Sequence, residues 1–143
     1  MTAYWNFNRH YNEAVSLFKN GSASADLIEL GRAFHYINDI AMPHHAMNKV
    51  AGLSRHTQFE DYVEARFSTY VLASVSSATL TAYTSKFTKS IADSTATLAR
   101  NNYTNANSTS TSNMNTAAAN TMKRAQTDAA GVIYKFFKDV GKI

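Results

Sequence analysis

Pro43 is the only proline in 143 residues, and only five glycines accompany it. Proline and glycine interrupt helices and build tight turns. A β-sandwich or barrel needs turn signals roughly every 8–12 residues, and this chain has far too few. Its long breaker-free stretches carry apolar residues at helical spacing instead. The pattern predicts an all-α, multi-helix bundle. The length suits one domain, residues 1–143, with a single sizeable core.

The periodicity places the helices. Residues 4–19 put Phe7, Tyr11, Ala14, Val15 and Phe18 on one face, and Asn20-Gly21-Ser22 stops that helix. Ser24 serves as N-cap of a helix running to about residue 41, with Leu27, Leu30, Ala33, Phe34 and Ile37 inward; Pro43 ends it. A loop over 42–54 follows, then a helix over 55–72 with Phe59, Tyr62, Val63, Phe67 and Tyr70 inward. Residues 73–85 alternate Ser, Thr, Val and Ala, which fits an extended segment or more helix. Lys86 to about Asn101 is helical, with Phe87, Ile91, Ala92, Thr95 and Leu98 apolar. Residues 101–116 are rich in Asn, Ser and Thr and read as a polar loop that buries little. A last helix over 116–139 carries Met122, Ala125, Ala129, Val132, Ile133, Phe136 and Phe137, and Gly141 closes it.

Composition excludes some chemistry. No Cys is present, which removes thiolate zinc sites and a disulfide scaffold but is compatible with secretion. No basic-apolar-small leader pattern is visible, and no run is long and apolar enough to cross a membrane. The net charge of +4 suits an anionic partner, yet the basic residues are scattered and form no nucleic-acid patch.

Four of the five His lie between residues 35 and 56. His35 and Asp39 stand i, i+4 on one predicted helix, so both leave the same face, and His56 and Glu60 repeat the arrangement on the next. His45 lies on the link between them. Two antiparallel helices joined by that link would bring the pairs together. Imidazole and carboxylate are zinc ligands, and a site with three protein ligands leaves a position open. Either pair alone would also serve as a surface ion pair. Against that, Phe34, Ile37, Ile40, Phe59 and Tyr62 flank them, and burying ionisable groups beside apolar faces is costly unless something coordinates them.

These residues also carry a family resemblance. Leu30-Gly31, His35-Tyr36 and Asp39, then Pro43, His45-Ala46 and Asn48, then His56 and Phe59-Glu60 resemble a motif of bacterial zinc-dependent phospholipases C. That motif is LG-x-x-x-HY-x-x-D, then P-x-HA-x-N, then H-x-x-F/Y-E. The group includes the phosphatidylcholine-preferring enzymes and the catalytic domain of alpha-toxins. Ala125-Gln126, Ala130-Gly131-Val132-Ile133 and Phe137 resemble its closing helix, so the similarity runs from about residue 11 to the C-terminus.

The resemblance implies an all-α bundle holding three Zn2+ ions in a cleft. His45, His56 and Glu60 match the protein ligands of one zinc. His35 and Asp39 match half the ligands of a second, and the counterpart of Asp39 bridges to the third. The implied reaction is attack of water on a phospholipid phosphodiester, releasing diacylglycerol and a phosphorylated head group. The implied setting is secreted, at a phospholipid or membrane surface. Fungal single-strand nucleases share the cluster, but their second pair reads H-x-x-W-D; Phe59-Glu60 favours the phospholipase branch over a nucleic-acid substrate.

The family's remaining ligands lie in an N-terminal half with no match here: an N-terminal Trp, a His in the first helix, and a further Asp and His. That Asp is also the candidate general base, so no catalytic residue is assigned in this chain. The chain is therefore expected to lack the N-terminal helices of the fold. A longer gene product, a second chain or a homo-oligomer would complete the site; alternatively, a homologue binds zinc for structure or assembly. Trp5 and His10 are read as packing and surface residues rather than substitute ligands, and His44 as a variable, exposed or supporting position.

Overall fold

A computed structural model describes residues 2–49 and 51–143; Met1 and Val50, the latter inside the expected 42–54 loop, lie outside the described residues. Among the described residues the chain is helical throughout, as its breaker-poor sequence predicts: α1 Ala3–Lys19, α2 Ala23–Ala41, α3 Pro43–Ala46, α4 His56–Glu64, α5 Ser77–Thr84, α6 Thr88–Asn101, α7 Tyr103–Ala106 and α8 Thr111–Asp139. Short 3-10 turns occupy Ala51–Leu53 and Phe67–Tyr70.

Several helix boundaries have a local cause. Thr2 caps α1, its hydroxyl accepting from the Trp5 N–H at 3.3 Å. Gly21 ends it at φ 79°, with Gly21 N–H bonded to Phe18 O and Ser22 N–H to Leu17 O. That is a Schellman close, whose left-handed residue suits glycine. The same pair of bonds closes α8 around Gly141.

α8 is the spine. Its 29 residues extend about 44 Å at 1.5 Å per residue, and it serves two cores. Val132 and Phe136 join Phe7, Tyr11, Ile37 and Ile91 in the first. Met114, Ala117 and Ala118 join Phe59, Tyr70 and Ala106 in the second. α1 and α2 pack extensively against each other, while α5 lies along α8, where the Tyr83 ring covers Gly131.

Several expectations are corrected by tertiary contacts. The helix expected over 55–72 stops at Glu64, and Arg66 leaves the helical region at φ −130°. Gln126 on α8 explains the break: its Nε2 donates to Tyr70 O at 2.8 Å and its Oε1 accepts from Leu72 N–H at 2.8 Å. That stretch then turns so that Tyr70 is buried, while Phe67 points to solvent. The ambiguous 73–85 segment holds α5, capped by the Ser76 hydroxyl. The 101–116 stretch is not a loop. Its polar residues cap and join helices: Asn102 donates to Leu98 O, Asn120 donates to Asn102, and Ser110 caps α8. Leu27, expected inward, is exposed; Phe87 is exposed too, and Ile133 and Phe137 are only partly covered.

Candidate metal centre

The site is assembled at the C-terminal end of α2, on α3, and on the first two turns of α4. His35 and Asp39 leave one face of α2. Pro43 then forces Met42 into an extended conformation at ψ 121° and itself starts α3, re-aiming the chain within two residues. α3 closes at Asn48, which sits at φ 52°. Asn48 N–H bonds His45 O at 3.0 Å and Lys49 N–H bonds His44 O at 2.8 Å. Asn is the side chain other than Gly that best tolerates this left-handed position, so Asn48 fixes the turn that presents His45. His56 opens α4 and Glu60 follows one turn later.

The five predicted residues form one continuous chain of contacts. His35 Nε2 lies 3.4 Å from Asp39 Oδ2, and Asp39 Oδ1 lies 3.5 Å from His45 Nδ1. His45 Nε2 lies 3.1 Å from His56 Nε2, which lies 2.9 Å from Glu60 Oε1. His45, His56 and Glu60 offer ligand atoms that all fall within 4.8 Å of one another. His35 and Asp39 stand outside that compact group.

Two parts of the sequence argument change. α4 packs on α8 rather than along α2; the bridge between the helical pairs is the single side chain of His45. The first pair is also not buried: the His35 side chain is 67% exposed, so desolvation gives no argument for a ligand there. The second pair is half sheltered, with the His56 side chain 15% exposed.

Hydrogen-bond chemistry makes the compact group unusual. An imidazole nitrogen carries either one proton or one lone pair. His56 Nε2 faces both an imidazole nitrogen and a carboxylate oxygen, and one proton cannot serve both partners fully. Beneath it lies His44, which is fully buried rather than exposed. Its ring stacks on His56 with centroids 5.2 Å apart and planes at 10°, and meets the Tyr103 edge at 5.3 Å. Burial lowers the His44 pKa, reinforced by the charge of His56 and opposed by the hydrogen bond to Asn107.

This architecture has solved counterparts. The alpha-toxin of Clostridium perfringens avian strain SWCP superposes with a TM-score of 0.88 and 28% identity over 97% of this chain and 41% of that chain. The alpha toxin from Clostridium absonum superposes with a TM-score of 0.87 and 27% identity, over 96% of this chain and 41% of its own. The chain shares the all-helical fold of the part of the alpha-toxins that it covers. It spans less than half the length of those toxins. No family model and no curated protein sequence matches it.

Within the alpha-toxin fold two further residues stand where sequence reasoning did not put them. His10 is buried, not at the surface. Its Nδ1 lies 2.5 Å from Glu29 Oε2, which holds the Glu29 carboxyl below the usual range, and its ring stacks on Tyr36. The signal was present, because position 10 lies on the same α1 face as Phe7 and Ala14. Together with Arg9, Arg32 and His35 this pair lines a cleft of about 840 Å³. Trp5 is partly exposed, with the Arg9 guanidinium 5.1 Å from its ring. Asn107 was missed altogether: it lay in a stretch read as an undifferentiated polar loop.

Proposed function

We propose that this chain forms a zinc-binding part of a phospholipase C-type phosphodiesterase that acts on phospholipids. The observation that carries the reading is the convergence of His45, His56 and Glu60 on one point of an alpha-toxin fold. The donor set fits zinc. Two imidazoles and one carboxylate are its ordinary ligands, and ligand atoms about 2.0–2.2 Å from a tetrahedral ion stand about 3.3–3.6 Å apart. The separations of 3.1 Å and 2.9 Å are a few tenths of an ångström shorter, so the donors would spread slightly around an ion. A cation also resolves the conflict at His56 Nε2, since all three groups can then point lone pairs inward. His35 and Asp39 supply the start of a second site that His45 joins to the first.

A bound zinc would supply Lewis-acid polarisation of a phosphoryl oxygen and would lower the pKa of a water toward neutrality. The chain's own residues leave one side of the triad open for a phosphate group. Glu60 also borders a cleft of about 630 Å³ between α2, α4 and α8, lined by Met42, Phe59, Val63 and Met122. Its apolar walls suit the hydrocarbon part of a lipid. Met47 and Leu53, close in sequence to His45 and His56, are exposed, Leu53 at 87%, as an enzyme working at a membrane surface requires. Secretion accords with this setting. The reading assigns no general base among these residues.

The test is zinc per chain by elemental analysis, followed by hydrolysis of a phosphocholine ester. The reading expects at least one zinc, lost in His56→Ala together with any hydrolysis. A wild-type chain purified and dialysed with zinc that retains none sinks it. The openness of the His35–Asp39 pair favours one second reading: a homologue that keeps one zinc for structure or assembly, which would be zinc-loaded yet inert. Cleavage of single-stranded DNA without lipid hydrolysis would indicate the nuclease branch instead.

A further inference from the structure

Asn107 lies 52 residues from Arg55 and 63 from His44 in sequence, yet one oxygen of its side chain meets both. Its Oδ1 accepts from the Arg55 backbone N–H at 2.7 Å. Arg55 is the residue immediately before α4, so this bond holds the first turn, where His56 sits, through one of the N–H groups that a helix start leaves without a backbone partner. The same Oδ1 lies 3.4 Å from His44 Nε2. With that nitrogen donating, the remaining ring nitrogen, Nδ1, is buried and has no partner among the described residues. Among the described residues, the contact to Asn107 is then the one polar tie that orients a fully buried ring.

That ring is the floor of the site. His44 stacks parallel to His56 and also touches Phe59 and Tyr103. A metal ligand is only as well aimed as the groups that hold it, and changing such supporting groups commonly costs about 10–100-fold in metal affinity. We propose that Asn107 is a positioning residue of the metal centre, acting on His56 through the start of α4 and through the His44 ring. The inference rests on the zinc reading of His45, His56 and Glu60, and adds to it a residue 52 positions from Arg55 in sequence.

The test is competitive zinc titration of the full chain with a chromophoric chelator, paired with the visible absorption of Co2+ in the same site. Asn107→Ala is expected to bind zinc about 10–100-fold more weakly and to shift and weaken the cobalt bands, with far-UV circular dichroism unchanged. Asn107→Asp, which keeps an oxygen acceptor at the same reach, is expected to restore affinity to within a few-fold. If the alanine protein does not fold, Asn107→Ser, too short to reach Arg55 N–H, carries the same expectation. Wild-type affinity and an unaltered cobalt spectrum in the Ala or Ser protein would overturn the proposal while leaving the zinc reading intact. A wild-type chain that binds neither metal would overturn both.

Discussion

His45 on α3 and His56 at the start of α4 hold their Nε2 atoms 3.1 Å apart. Two neutral imidazoles gain one hydrogen bond from such an approach; two imidazoles sharing a cation gain far more. Zinc at 100 times its dissociation constant should therefore raise the unfolding free energy by about 2.7 kcal/mol, read as a shift in melting temperature. His45→Ala or His56→Ala should abolish the shift. His35→Ala should keep most of it, because His35 stands outside the compact triad. Equal losses from all three variants would contradict the division into one complete and one partial site.

Gly131 and Tyr83 set the distance between α5 and α8. A Cβ at residue 131 would fall 2.4 Å from Tyr83 Cγ, and the ring can move away only by leaving its buried position and its hydrogen bond to Asp128. Alanine would gain about 0.8–1.0 kcal/mol in helix propensity, whereas overpacking costs roughly 1–3 kcal/mol and sometimes more. The clash wins. Gly131→Ala should lower stability by about 1–2 kcal/mol, measured by urea unfolding.

Asp128 is a fully buried carboxylate with a complete set of partners. Tyr83 and Thr95 hydroxyls meet it at 2.5 and 2.6 Å, and Arg124 Nε reaches both oxygens at 2.9 and 3.0 Å. Removing one member of a buried pair strands the other charge, at a cost of about 3–5 kcal/mol. Arg124→Leu should lose about 3 kcal/mol and Thr95→Val less. The exposed Lys89–Asp93 pair, which also stands i, i+4, gives the contrast: Asp93→Ala should leave the unfolding midpoint nearly unchanged.

Three tyrosines should titrate late. Burial, and then the carboxylates of Asp139 and Asp128, push the phenols of Tyr11 and Tyr83 well above the ordinary range, and burial raises Tyr70 to about 12. A pKa raised on folding stabilises the fold fully below the unfolded value near 10 and loses that contribution as pH rises past it. Stability should therefore decline above about pH 10. Ultraviolet titration of the native chain near pH 11 should show fewer than the eight tyrosinates that appear on denaturation. Tyr11→Phe and Tyr83→Phe should each flatten the alkaline decline.

What the sequence displayed was the local part of this design. Scarce breakers and the spacing of Phe7, Tyr11 and Ala14, or Leu30, Ala33 and Ile37, predicted α1 and α2 nearly residue for residue. The His and acid spacing picked out the residues that the structure places in one chain of contacts. What it hid was set by partners distant in sequence. Nothing near residue 66 announces that Gln126 will take the backbone of Tyr70 and Leu72. The Asn/Ser/Thr stretch looked like a solvated loop because capping residues and loop residues are the same residue types. His44 looked variable because its partners, Asn107 and Tyr103, lie in that stretch.

All five candidate donors lie within residues 35–60, whereas the Asn107 oxygen and the Tyr103 edge that support them come from the far side of the sequence. On the zinc reading, the donors and the groups that would aim them are thus encoded in different parts of the chain. A graft of the 35–60 segment into another helical scaffold would then carry the candidate donors but leave the aim of His56 behind. During folding, the ligands can gather early by closing short loops, and the centre acquires its final shape only when α7 docks.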